Sequence, residues 1–71
     1  MAVLRFLANH IIIDGIDRGL SVLELSDDHK QLSIIPFIKE TYSTVFIPGA
    51  IHITVIDEKY QLFAEKLDKY L

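Results

Sequence analysis

The stretch that most constrains this chain is TVFIPGAIHITVI, from Thr44 to Ile56. Val45, Phe46, Ile47, Ile51, Ile53, Val55 and Ile56 are β-branched or aromatic, so both halves favour an extended backbone packed on a pleated surface. Pro48 interrupts the run. Having no amide hydrogen, it cannot continue a central ladder, so a bulge, a kink or an edge is expected there, with Gly49 supplying the backbone angles for the bend. Beyond the kink, Ile51, Ile53 and Val55 share one face, expected to be core, and His52, Thr54 and Ile56 share the other.

Upstream, Val3 to Ile13 reads as a strand, although a helical turn over residues 2–8 has much the same apolar content. Leu4, Phe6, Ala8, His10 and Ile12 would share one face, and Val3, Arg5, Leu7, Asn9 and Ile11 the other. Asp14-Gly15 opens a turn region that runs to Gly19, because an Asp-Gly pair permits a tight reversal. A strand resumes at Leu20, where Ser21, Leu23 and Leu25 alternate with Leu20, Val22 and Glu24. Ser26 to Lys30 makes a second polar reversal, and Gln31 to Phe37 is the hairpin partner, with Pro36 marking an end or an edge. Residues 39–43 form the longest polar connection.

After Ile56 the pattern changes. Asp57 fits an N-cap, Glu58 a first turn and Lys69 a last turn, each complementing a helix dipole. Tyr60, Phe63, Ala64, Leu67 and Leu71 recur at helical spacing, and about 14 residues at about 1.5 Å each would cover one face of a small sheet. The expectation is therefore one mainly β domain of the α+β class over residues 1–71. It would hold about four antiparallel strands in a small sheet, partial barrel or sandwich, and one C-terminal α-helix over 57–71.

With 71 residues the chain buries only about 60% of the surface that its unfolded form exposes. It has no cysteine to staple the fold, yet 51% of its residues are hydrophobic, more than so small a body hides easily. A partner surface is expected, either a second copy in a homo-oligomer or another protein. The net charge of −3 comes from seven basic residues interleaved with ten acids, which argues against nucleic acid or an anionic membrane as the partner. The N-terminus lacks a cationic leader pattern, and no run reaches the roughly 18 apolar residues of a membrane span. A cytoplasmic location fits the lack of cysteine.

His10, His29 and His52 are the candidates for metal or acid–base chemistry, His10 and His52 because both lie within strands that could meet. None stands in an H-x-H or H-E-x-x-H pattern. Asp14, Asp17, Asp27 and Asp28 lie in turns, where aspartate serves the backbone, and the calcium-loop pattern is missing. No nucleophile elbow or glycine-rich phosphate loop is present, so neither catalysis nor a cofactor is expected. The residues expected to form an interaction surface are Phe46, Ile47, Pro48, Tyr60 and Phe63.

Taken in order, the first strand, the Asp14-Gly15 turn with Gly19, VLEL, DDHK, QLSII and FIPGAIHIT are similar to the start of metal-dependent amidohydrolases. There a small β-sandwich domain precedes a catalytic barrel, and Ile47-Pro48-Gly49-Ala50-Ile51 matches the approach to the metal motif. The motif itself is replaced: its aspartate position holds His52, and its two histidine positions hold Thr54 and Ile56. The resemblance implies the β-domain of such an enzyme without barrel or metal centre, acting as an accessory or vestigial domain beside a catalytic chain.

Overall fold

A computed structural model of the chain describes residues 3–37 and 44–71. Seven strands form one sheet: β1 (Val3–Ile13), β2 (Ile16–Asp17), β3 (Ser21–Ser26), β4 (Leu32–Pro36), β5 (Val45–Ile56), β6 (Lys59–Ala64) and β7 (Lys69–Tyr70). The order is β4-β3-β1-β5-β6-β7, with β2 added beside the end of β1. Every pairing is antiparallel except that of β1 with β5, which is parallel. The polar connection read over 39–43 lies outside the described residues.

This corrects the expected fold class in three respects. The described residues form seven strands rather than about four, the sheet is mixed rather than antiparallel, and it is not closed into a barrel. The helix expected over 57–71 is absent: the described residues contain no helix, and β6 and β7 occupy that segment. Asp57 and Glu58 both adopt positive φ, 52° and 63°, and form the two-residue turn of a β5–β6 hairpin in which Ile56 pairs with Lys59. Primed turns of this kind match the twist of antiparallel strands. The apolar stripe at helical spacing is a coincidence of two strands, since Tyr60 packs on the core while Phe63 lies on the opposite face and meets Tyr70 edge-on at 5.1 Å. A short terminal helix would have borne its own nucleation cost, whereas β6 adds directly to an existing strand edge.

The strands read from sequence are otherwise close to those observed. The Asp14-Gly15 pair, with φ of 53° and 74°, is a two-residue turn joining Ile13 to Ile16. It is followed by only two paired residues before Arg18 N–H bonds the Ile11 carbonyl at 2.8 Å. The chain then returns along the first half of β1, where Ser21 pairs with Ala8 and Ser26 with Val3.

One hydrophobic cluster joins the whole sheet: Ala8 and Ile11 of β1, Leu23 and Leu25 of β3, Ile47, Ile51 and Ile53 of β5, and Leu62 and Ala64 of β6. Side chains from strands far apart in the order share it, so the sheet curls around them. The β3–β4 turn reaches the start of β6, where Tyr60 N–H donates to the His29 carbonyl at 2.8 Å and His29 Nδ1 lies 3.0 Å from the Tyr60 carbonyl.

Pro48-Gly49 is the point where the curl is made. Ala8 pairs with Ile47 and His10 with Ala50, so β5 carries one residue more than β1 across this interval. The bulge lets Pro48 sit inside a paired strand without owing a ladder bond. Opposite it, the core-facing positions of β1 change from Phe6 and Ala8 to Ile11 and Ile13, so the strict alternation expected for β1 ends at Ala8. Gly49 has φ of 81°, and a Cβ there would stand 2.8 Å from Lys66 Cγ. Gly49→Ala is expected to cost roughly 1–2 kcal/mol, most of it from the left-handed backbone. The loss should persist in a Lys66→Ala background, as urea titration of the single and double variants would show.

Candidate functional site

The outward side of the curl has two regions of different character. The first belongs to β2, the second half of β1, β5, β6 and β7. Here the register sets Asp17, Ile12, His52, Phe63 and Tyr70 in one row across the strands. His10 and His52 share this outward region on neighbouring strands. His10 Nδ1 lies 2.9 Å from Asp17 Oδ2, and His52 Nε2 lies 3.0 Å from Glu65 Oε2. Each imidazole thus has a carboxylate partner of its own, and no group of three or more metal-ligating side chains is assembled among the described residues. His29, at φ of 62°, serves the turn and its bond to Tyr60.

The aspartates likewise serve turns. Asp17 Oδ1 accepts the Gly19 N–H at 2.7 Å, and this bond, reinforced by His10, holds its carboxyl below the ordinary aspartate range. Asp28 is held low by the Ser26 hydroxyl, which donates to Oδ1 at 2.6 Å, and by the Lys30 N–H. A depressed folded-state value means that stability is gained above the unfolded-state value and lost as pH falls through the folded one. The Asp17 carboxyl should therefore titrate, by NMR, below an unstructured aspartate. Asp17→Asn should make stability less dependent on pH in that acid window.

The second outward region belongs to β4, β3, the first half of β1 and the first half of β5. Its register places Ile35, Val22, Leu7 and Phe46 in one row, with Ser33, Glu24 and Arg5 in the row beside it. These positions alternate with the core residues Ile34, Leu23 and Phe6. Val22, at the centre of its row, is only 7% exposed yet lies outside the main cluster. Its flanking residues Ile35 and Phe46 are 43% and 53% exposed. Arg5 Nε meets Glu24 Oε2 at 2.6 Å beside them. The exposed apolar side chains of the row are thus those at its two ends, and its centre is covered.

At the lower end of this region a shallow recess of about 260 Å³ is bordered by Glu24, Ser26, Asp27, Asp28, Gln31 and Ser33. Its polar groups are largely spent on each other: Glu24 on Arg5, Asp28 on Ser26 and the Lys30 N–H, and Ser26 also on the Gln31 N–H.

The five residues expected to form an interaction surface do not gather. Ile47 is 5% exposed and belongs to the core, and Tyr60 packs against that core from its rim. Pro48 is half-buried at the bulge, and Phe63 is half-buried on the imidazole-bearing region. Phe46 alone lies in the apolar row. Leu7, Val22 and Ile35 share that row with it; each is the off-core residue of a different strand, so only the register brings them together.

No protein-family model, curated protein or solved structure matches the chain. The small, mostly β architecture with its mixed sheet fits the resemblance in general outline, and nothing in it is particular to amidohydrolases. No helix among the described residues is long and apolar enough to cross a membrane.

Proposed function

We propose that the chain is a protein-interaction module that acts by docking and not by catalysis, through the outward face of β4, β3, β1 and β5. The observation that carries this reading is the apolar row Ile35, Val22, Leu7 and Phe46 on the side of the sheet away from the core. At the two ends of this row Ile35 and Phe46 stay 43% and 53% exposed, large apolar side chains on the side of the sheet where polar residues are the rule. Covering Ile35 and Phe46 removes apolar surface from water, worth about 25 cal/mol per Å² before the costs of association.

Phe46→Glu tests the reading. Because Phe46 is half exposed, the variant should keep its circular dichroism spectrum and a melting temperature within a few degrees of the parent. A buried charge in the patch should remove the association, read by sedimentation of the purified chain and of the complex isolated from cells that make it. Unchanged assembly in both preparations would remove this face from consideration.

A further inference from the structure

We infer that the open edge of β4 pairs with the same edge of a second copy of the chain, antiparallel, about a two-fold axis that passes between the two Ser33 residues perpendicular to the sheet. This edge is distinct from the docking face proposed above. β4 stands at one end of the strand order. Its odd-numbered residues bond β3, since the Ser26 N–H donates to the Gln31 carbonyl at 3.0 Å and the Phe37 N–H to the Leu20 carbonyl at 3.3 Å, with Leu23 opposite Ile34 and Leu25 opposite Leu32 between them. In an antiparallel ladder the alternate residues turn their backbone groups the other way. The N–H and C=O of Leu32 and Ile34 therefore point outward, where no strand lies and nothing bonds them among the described residues.

Exposed edges are normally kept from pairing by short length or by charge. β2 and β7 have both, being two residues long with Asp17 on one and Lys69 on the other. β4 runs for five residues, LSIIP, without a charge. The register about Ser33 identifies what covers it. Leu32 falls opposite Ile34 of the second copy and Ile34 opposite Leu32, so every outward N–H of these residues meets an outward carbonyl, and each contact occurs twice as an isologous interface requires. The next outward pair is Pro36 with Lys30, where Pro36 has no N–H and the Lys30 N–H already donates to Asp28 Oδ1 at 3.0 Å. The ladder thus stops with no donor unpaired. Moving the axis by one residue sets Pro36 opposite Leu32 or Lys30 opposite Ile34, and either leaves a carbonyl without a donor. On the core side Leu32 and Ile34, half-buried at the rim of the hydrophobic cluster, cover each other across the axis. On the other side Ser33 meets Ser33, small enough for the close approach of a non-hydrogen-bonded pair.

Ile34→Pro tests the pairing. It removes an outward donor and leaves the β3 ladder whole, because the Ile34 N–H does not face β3. Two intermolecular bonds are lost by symmetry, so the dimer should weaken by roughly 10- to 100-fold in sedimentation equilibrium, while Ile34→Val, which keeps the donor, should stay close to the parent. The lack of native cysteine permits a test of the register. Ser33→Cys should oxidise by itself to a disulfide-linked dimer, since the Cα separation of about 4.5 Å at such a pair lies within disulfide reach. Gln31→Cys and Ile35→Cys, which face each other across the axis, should link only when mixed. Gln31, Ser33 and Ile35 are exposed, so the cysteine set carries the test if Ile34→Pro does not fold.

A parent chain that remains monomeric at high concentration overturns the pairing. So does an Ile34→Pro dimer as tight as the parent's, or a Ser33→Cys chain that links no faster than Gln31→Cys alone. Phe46→Glu separates the edge from the face. A dimer that survives Phe46→Glu and is lost in Ile34→Pro belongs to β4, and one with the opposite response belongs to the docking face and overturns the edge.

Discussion

Replacing Ile51 with alanine is expected to bring the whole domain to the edge of unfolding. Ile51 is fully buried, pairs with Ile11 of β1 on one side and Ala64 of β6 on the other, and follows the bulge that turns the sheet. Truncating such a side chain typically costs about 2–5 kcal/mol, through lost transfer energy and the cavity left behind. A chain of 71 residues has only roughly 4–10 kcal/mol of stability to lose. Its melting temperature should fall by at least about 8 °C, given roughly 4–8 °C per kcal/mol for a domain of this size. The control is Val55→Ala on the same strand, where 63% exposure keeps the expected change within about 0.5 kcal/mol. Equal losses at both positions, measured by thermal melting followed by circular dichroism, would contradict the assigned sides of β5.

The contrast between those positions also marks how far the sequence could be read. Strong β-branched runs located β1, β3, β4 and β5 nearly to the residue, and Pro48-Gly49 marked an interruption that could be a bulge, a kink or an edge, because these are local properties of the backbone; the register shows the bulge. Alternation assigned Ile51 and Ile53 to the core, but it also placed Val55 there, where the β5–β6 hairpin has already run past the curl. Partnership was not legible. That β1 lies beside β5 in parallel depends on contacts more than 35 residues apart in sequence, and no turn signal encodes them. The outward row was illegible for the same reason: Ile35, Val22, Leu7 and Phe46 belong to four strands, and only the register sets them side by side. His10 and His52 were placed correctly within strands, yet their carboxylate partners Asp17 and Glu65 come from a turn-flanking strand and from a segment expected to be helical.

That segment supplies the sharpest expected result. In a helix capped by Asp57, Glu58 would occupy the first helical position, where proline is favoured, and Glu58→Pro would be tolerated or mildly stabilising. In the hairpin, Glu58 has φ of 63°, which the pyrrolidine ring, fixed near −65°, cannot adopt. The turn would have to open, and β6 and β7 would lose their pairing with β5 while Leu62 and Ala64, both buried, left the core. Glu58→Pro is therefore expected to destabilise the domain by more than about 3 kcal/mol. The opposite change follows from the same angles. Asp57→Asn combined with Glu58→Gly supplies the residues that primed turns favour, relieves a long side chain held at positive φ, and should raise stability by about 1 kcal/mol. Urea titration of the two variants reads both signs. Tolerance of proline together with loss on introducing glycine would require a helix at this end and would dismantle the β5–β6–β7 half of the sheet. The reverse pair of signs is the result that two consecutive left-handed residues demand, since a glycine at Glu58 would weaken a first helical turn and strengthen only a hairpin.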